Sequence, residues 1–210
     1  MSNMSKIAQY GLILVAGVTV LGLIWLLFTP KTFIIEPTSL IPPEEPTTTE
    51  IAPVLPAAEP IAIDIPAVGI VADFEQPLGV NEDRTIEVPD GFDTVGWYRY
   101  GPTPGELGPA VVLGHVDSFE GPAIFFSLGQ LSPGDDIFIN REDGSRAHFV
   151  VTRLERVEQD TFPTAQVYSD IDHAGLRLIT CSGTFIHGEQ RYTHNLIVFA
   201  ELVPPAAEET

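Results

Sequence analysis

The chain contains a single cysteine, Cys181, so it cannot form an internal disulfide bond. Such a cysteine is buried and inert, is paired with another chain, or serves as a reactive thiol. Cys181 follows an apolar run at 176–180 and precedes a Ser-Gly-Thr turn at 182–184. This pattern predicts a thiol at the end of a β-strand, where a rigid scaffold can position a nucleophile that a loop leaves exposed.

His115 has a matching position, directly after the apolar run at 111–114 and 66 residues before Cys181. A free thiol, with a pKa of about 8.5, needs a base or a cationic neighbour to be nucleophilic at neutral pH, and imidazole supplies both. The two residues are therefore candidates for one site, and the alternative is that residues so far apart never meet. His187 and His194, which follow Cys181, are the competing bases.

Two polar residues after Cys181 are candidates for stabilising an oxyanion, Arg191 and Asn195. Side-chain alternation puts both on one face, together with Thr193, if a strand starts as early as Arg191. Each has a structural alternative, which is an ion pair for Arg191 and a hydrogen bond at the strand start for Asn195. Five scattered histidines and one cysteine show no zinc-ligand spacing, so no metal or other cofactor is expected.

The elements that position these residues belong to one domain, because 210 residues are too few for two large cores. The formal charge of −19 argues against nucleic acid or an anionic lipid surface as the main partner. From residue 61 to 203, short apolar runs alternate with Gly, Pro and Asp clusters, which indicates an all-β fold.

Eight strands are predicted, a number that suits a small barrel or sandwich. They cover 61–65, 69–74, 84–88, 110–114, 136–140, 147–158, 176–180 and 195–202. The Asp-Gly pair at 143–144 predicts a tight hairpin turn between the fifth and sixth of them. One or two short helical turns are expected near 123–128.

The N-terminal part of the chain differs sharply in composition from this domain. Residues 7–28 carry no charge, and 22 residues at about 1.5 Å each span the hydrocarbon core of a bilayer. We expect a cytoplasmic stub and an uncleaved transmembrane anchor over 1–31; the alternative is a cleaved signal peptide. Residues 32–60, with seven prolines and five glutamates, are typical of an extended stalk, although a docking motif or glycosylated patch is an alternative. Residues 204–210 are expected to be a flexible tail.

The sequence resembles the sortases, membrane-anchored cysteine transpeptidases, through Leu-Ile-Thr-Cys at 178–181 and Leu-Gly-His at 113–115. Within that family it is similar to the class F group. The matching segments are 95–98, 104–110, 114–118, 121–126, 162–164, 167–168 and 176–183.

The resemblance implies an eight-stranded sortase-type β-barrel, preceded by the transmembrane helix, with the catalytic domain at 61–203 outside the cell. By position, Cys181 is the nucleophile and His115 the general acid/base, and the flanking Thr180 and Ser182 are expected to contact substrate. The implied partners are surface proteins with an LPxTG-like sorting signal and a peptidoglycan precursor or other amine acceptor. The arginine that sortases carry on the last strand is replaced by Asn195, so either Arg191 or Asn195 fills that role, with Arg191 slightly preferred because it is charged.

Two other functions remain open at this point. One is a non-catalytic binding or scaffold domain on the cell surface with the same barrel. The other is a pilus-type polymerising sortase, which would use a lysine of another protein as its amine acceptor.

Overall fold

The computed structural model describes residues 54–204. The predicted membrane anchor, most of the predicted stalk and nearly all of the predicted tail lie outside this range. Among residues 54–204, no helix combines the length and apolarity needed to cross a lipid bilayer.

Residues 54–204 are built mainly of strands, with few and short helices. The ten strands are β1 (Pro60–Ile65), β2 (Ile70–Asp73), β3 (Gly96–Trp97), β4 (Gly108–Leu113), β5 (Asp117–Ser118), β6 (Gly121–Pro122), β7 (Asp136–Arg141), β8 (Arg146–Glu158), β9 (Ala174–Ile186) and β10 (Arg191–Leu202). The helices are α1 (Thr164–Tyr168) and three 3₁₀ helices at Pro66–Val68, Leu128–Gln130 and Gln159–Thr161.

Eight of the strands form one sheet in the order β2-β1-β7-β8-β10-β9-β4-β3, while β5 and β6 pair separately. Strands β4 and β9 are parallel, and the other neighbours are antiparallel. Parallel bridges Phe74↔Val95 and Leu78↔Tyr98 connect the two edges, so the sheet curls as a half-barrel. The prediction of a mostly-β domain with eight main strands and few helices is confirmed.

The sheet buries apolar side chains on both faces, because residues alternate along each strand. On β9 and β10, Leu176, Leu178, Leu196 and Val198 pack in the larger core inside the curl. The alternate residues on these strands point to the other face. There Ile179, Ile197 and Phe199 form a smaller cluster beneath α1 with Val111 and Val167. Cys181 is two residues from Ile179 and Asn195 is two residues from Ile197, so both lie on the α1 side of the sheet.

Local predictions had mixed outcomes. The hairpin is confirmed, since β7 and β8 are joined by a turn in which Gly144 has a φ of 81°. The predicted strand at 84–88 is wrong, because that segment makes only the single bridge Val80↔Ile86. Residues 124–127 form turns that lead into the Leu128–Gln130 3₁₀ helix, and the α-helix lies instead at Thr164–Tyr168.

Residues 54–59, which the sequence assigns to the stalk, lie against the domain. The Leu55 amide donates to the Gly105 carbonyl at 2.8 Å, and the Ala58 amide donates to Thr103 Oγ1 at 3.1 Å. The guanidinium of Arg141, a residue only 1% exposed, donates to the Pro56 carbonyl. This segment therefore covers a buried charge.

Candidate active site

Cys181 lies within β9, which continues to Ile186. Cys181 is half-buried. The expectation that the cysteine ends its strand is therefore wrong, because Ser182, Phe185 and Ile186 pair with β10. The strand continues past a β-bulge between the pairs Tyr192↔Phe185 and His194↔Ser182. Gly183 occupies the bulge with a φ of 84°, a conformation that favours glycine.

The parallel pairing of β4 with β9 determines where His115 lies relative to Cys181. The register runs from Gly108↔Ala174 to Leu113↔Ile179, a constant offset of 66 residues, and the Gly114 amide extends it by donating to the Ile179 carbonyl at 3.2 Å. β4 ends at Leu113, so His115 lies in the segment directly after the strand that pairs with β9. Neighbouring strands are about 4.8 Å apart, so the end of β4 lies beside β9 at Ile179, two residues before Cys181.

The imidazole of His115 has its own partners in this structure. Its Nε2 lies 2.7 Å from the Pro89 carbonyl, and its ring centroid lies 4.8 Å from that of Phe92. A carbonyl only accepts hydrogen bonds, so Nε2 carries a proton and Nδ1 is the remaining proton acceptor. Within residues 54–204, no hydrogen bond joins His115 to the Cys181 sulfur.

Asn195 lies directly opposite Cys181 on the neighbouring strand β10. Gln159, in the 3₁₀ helix after β8, donates from Nε2 to Asn195 Oδ1 at 3.1 Å and to Cys181 Sγ at 3.9 Å. The amide of Gln159 thus connects the thiol with Asn195. Sequence reasoning missed Gln159, and its only signal was a polar residue directly after the end of a predicted strand.

Arg191 lies farther from the thiol, at the start of β10 and opposite Ile186. Its Nε donates to Glu189 at 2.6 Å and its NH1 to Asp160 at 3.2 Å, and both interactions raise the pKa of the guanidinium. The ion-pair alternative therefore describes Arg191 in this structure. The bulge also separates Arg191 from the regular alternation that includes Asn195.

The two residues that flank Cys181 have different surroundings. Thr180 is 4% exposed, pairs with Leu196 on the core side of the sheet, and has a buried hydroxyl without a hydrogen-bond partner. Its side chain lies on the face opposite the thiol, which argues against direct contact with substrate. Ser182 is half-buried and lies opposite His194.

Asp117 affects the pKa values of both Cys181 and Tyr192. Burial raises the pKa of the Cys181 thiol, the negative charge of Asp117 raises it further, and the hydrogen bond from Gln159 opposes the rise. The Tyr192 hydroxyl donates to Asp117 Oδ2, and burial together with Asp117 and Cys181 raises the pKa of Tyr192 to about 12. In the resting state the thiol is therefore mainly protonated at neutral pH, and a base must accept its proton.

The other histidines make contacts of their own. His148 pairs with Asp136 at 2.6 Å, His173 with Asp172 at 3.0 Å, and His194 Nδ1 lies 2.7 Å from Thr193 Oγ1. His187 packs edge-on against Phe185 near the β9–β10 hairpin. Over residues 54–204, no group of three His, Cys, Asp or Glu side chains is placed to bind a metal ion.

Comparison with protein families gives a match over residues 63–203, described as Sortase domain. A search of curated proteins found no match. The match includes His115, Cys181 and all of β10.

Solved sortase structures share this fold. Sortase C-1 from Actinomyces oris has 21% identity and a TM-score of 0.54, covering 70% of this chain and 76% of its own. Sortase C1 from Streptococcus suis has 18% identity and a TM-score of 0.54, with coverages of 73% and 78%. A lid mutant of sortase A from Corynebacterium diphtheriae has 20% identity and a TM-score of 0.55, with coverages of 78% and 77%. At these identities the likeness establishes the fold.

Proposed function

Because the chain belongs to the sortase family, we propose that it is a cysteine transpeptidase of the class F group. Its substrates are surface proteins with a C-terminal LPxTG-like sorting signal, and the acceptor is a peptidoglycan precursor or another cell-wall amine. The observation that carries this proposal is the strand register. Cys181 lies opposite Asn195 on β10, and the end of β4, two residues before His115, pairs with β9 two residues before Cys181.

The proposed chemistry uses the side chains in that region. The Cys181 thiolate attacks the threonine carbonyl of the sorting signal, and a carbon–sulfur bond forms while negative charge develops on the carbonyl oxygen. His115 gives a proton to the leaving amine as the carbon–nitrogen bond breaks, which leaves a thioester. An incoming amine attacks the thioester, His115 accepts its proton, and the thiolate leaves.

The raised pKa of Cys181 determines how this cycle starts. Since the resting thiol is protonated, its proton has to pass to a base before attack, and Nδ1 of His115 is the ring nitrogen that remains for it. Substrate binding that removes water from the site then favours the attack of the thiolate over its reprotonation by water.

We assign the oxyanion-stabilising role to Asn195, which reverses the preference that the sequence suggests. Asn195 lies opposite the nucleophile, and its amide oxygen already accepts from Gln159, so its NH₂ group remains available to donate. Arg191 is engaged by Glu189 and Asp160. A single donor placed at the developing oxyanion typically contributes about a hundredfold or more to the rate.

We propose a single-pass membrane location with the catalytic domain outside the cell. The support is the uncharged stretch at 7–28, followed by the acidic, proline-rich segment 32–60. Fractionation of cells that produce the full chain, followed by protease treatment of intact cells, tests this arrangement. The domain is expected in the membrane fraction and to be cleaved from outside; resistance to external protease would contradict it.

The enzymatic function is tested with the domain, an LPxTG peptide and two acceptors, a peptidoglycan-derived amine and a lysine-containing peptide. We expect cleavage and an amide product, with the acceptor preference separating wall anchoring from polymerisation. Cys181→Ala should abolish both reactions, while Ser127→Ala, which removes a hydroxyl that donates to the Val68 carbonyl at 3.4 Å, should leave them intact. Cleavage that persists in Cys181→Ala would contradict the proposal, and no reaction with any sorting peptide would favour a binding domain.

A further inference from the structure

The loop between β2 and β3 makes the contacts to His115 described above. Its segment 89–94, called here the histidine loop, supplies both the Pro89 carbonyl at 2.7 Å from Nε2 and the Phe92 ring at 4.8 Å from the imidazole. The Ile124 amide donates to the Phe92 carbonyl at 2.8 Å, which fixes the other side of the loop. The orientation of the imidazole therefore depends on the position of this loop.

Glu75, just after β2, binds the histidine loop through one carboxylate. Its Oε2 accepts from the Asp90 amide at 3.0 Å, and its Oε1 accepts from the Gly91 amide at 2.8 Å and the Thr94 hydroxyl at 2.5 Å. The Glu75 amide also donates to the Val95 carbonyl at 2.9 Å. One residue thus connects the edge of β2 with both ends of the loop.

Gly91 allows this close approach of the carboxylate. A Cβ atom at position 91 would lie 2.6 Å from Glu75 Oε1 and 2.6 Å from Thr94 Oγ1, closer than van der Waals contact permits. The pKa of Glu75 is lowered, chiefly by the Thr94 hydroxyl, with further contributions from the Gly91 and Asp90 amides and from His115. The carboxylate is therefore ionised at neutral pH and acts as an acceptor only.

We propose that Glu75 is a positioning residue for His115, acting through the histidine loop. The loop aligns the Pro89 carbonyl with Nε2, which keeps the proton on that nitrogen and leaves Nδ1 to serve the thiol and the leaving amine. Phe92 packs against the ring and limits its rotation. This role rests on the proposed function, because the orientation of His115 matters for activity only when its imidazole transfers protons.

Nuclear magnetic resonance tests the positioning without any turnover. In the wild-type domain, the ring proton on Nε2 of His115 should be protected from exchange, and ring protons of Phe92 and His115 should show a mutual Overhauser effect. In Glu75→Gln, an NH₂ group replaces one acceptor oxygen and faces a donor, so both signals should weaken or disappear. Unchanged signals in that variant would overturn the proposal, whether or not the protein turns over a sorting peptide.

Kinetics of sorting-peptide cleavage supply the second readout. We expect kcat of Glu75→Gln to fall between about tenfold and a hundredfold, because a small misplacement of a catalytic group has effects of that size, with KM little changed. An increase in kcat would overturn the proposal, since Glu75 would then hold His115 in an orientation less favourable for proton transfer. Absence of cleavage in the wild-type protein, with the NMR signals as expected, would refute the proposed function alone.

Two further variants complete the design. Asp83→Asn is the matched control, because its carboxylate accepts from the Thr85 amide at 2.9 Å and the Thr85 hydroxyl at 2.6 Å within the same long connection but does not contact the histidine loop. It should leave the NMR signals and kcat at wild-type values. If Glu75→Gln fails to fold, Thr94→Val removes one of the three donors and should weaken the same signals by less; no weakening there would overturn the proposal.

Discussion

The reactivity of Cys181 depends on opposing effects of its neighbours. Burial and the charge of Asp117 raise the pKa of the thiol, whereas the Gln159 amide lowers it. A protein with such a cysteine keeps most of its molecules in the thiol form at neutral pH. Protonated cysteine is less easily oxidised or alkylated, because the thiolate is the reactive species.

The contribution of Asp117 can be measured directly. In Asp117→Asn the negative charge is removed while an amide oxygen can still accept from Tyr192, so the pKa of Cys181 should fall. Iodoacetamide should then react faster with Cys181 at neutral pH, and the curve of rate against pH should move to lower pH. Asp172→Asn, an exposed carboxylate paired with His173, serves as control and should match wild type. An unchanged curve in Asp117→Asn would show that Asp117 does not act on the thiol.

The choice between Asn195 and Arg191 gives a second prediction for single residues. Asn195→Ala should slow acylation by roughly a hundredfold, as expected for loss of one oxyanion donor. Arg191→Ala breaks two exposed ion pairs and should slow acylation by less than about tenfold. Single-turnover kinetics with a sorting peptide measure both. A larger loss in Arg191→Ala than in Asn195→Ala would return the role to the arginine.

At the scale of secondary structure, much of the fold follows from local pattern. The β7–β8 hairpin is specified by an Asp-Gly turn between alternating apolar residues, and it forms as predicted. The strand predicted at 84–88 does not form, because its apolar residues have no adjacent strand to pair with beyond one bridge. The extension of β9 past Cys181 depends on pairing with β10 across a bulge, which no local sequence signal specifies.

The candidate site was predictable in part for the same reason. The residue types of Cys181 and His115 indicate their chemistry, but the parallel pairing of β4 with β9, which brings together the strand before His115 and the strand of Cys181, is a contact between distant parts of the chain. Likewise Gln159 reaches the thiol, and Glu75 reaches the histidine loop, through tertiary packing alone. Propensity and periodicity carry no information about such contacts.

The bulge in β9 gives a prediction about an element. At Gly183, a Cβ would lie 2.5 Å from Thr193 Oγ1 and 2.7 Å from His194 Nδ1, and φ is 84°. Gly183→Ala should therefore destabilise the domain by about 2–3 kcal/mol, measured by denaturant unfolding. Gly144→Ala, at a φ of 81° with no atom within 4 Å, should cost only about 1 kcal/mol. Equal losses in the two variants would show that the close contacts at Gly183 do not matter.

At the scale of the whole molecule, the segment 54–59 links the domain to the chain that precedes it. It supplies the Pro56 carbonyl to Arg141, whose guanidinium also donates to Ser145 Oγ at 3.1 Å and lies 3.8 Å from Asp143. A buried charge without its partners is costly, because it loses hydration and gains too little in return. Segment 54–59 is therefore part of the folded domain.

A mutant cycle tests this role of the segment. A fragment that begins at residue 61 should be less stable than one that begins at residue 54 by about 3 kcal/mol, since it leaves Arg141 short of an acceptor. Arg141→Met should destabilise the longer fragment but be neutral or stabilising in the shorter one. Denaturant unfolding of the four proteins measures the coupling. Additive effects would show that the segment and Arg141 act independently.

The proposed function requires Cys181 to form a covalent thioacyl intermediate with a sorting signal. Intact-mass spectrometry of the domain, quenched with acid soon after mixing with an LPxTG peptide and no amine, measures this directly. We predict an added mass equal to the peptide up to its threonine, located on Cys181 by peptide mapping and lost on addition of an amine acceptor. Peptide cleavage without any adduct on Cys181, or an adduct on another residue, would contradict the proposed function.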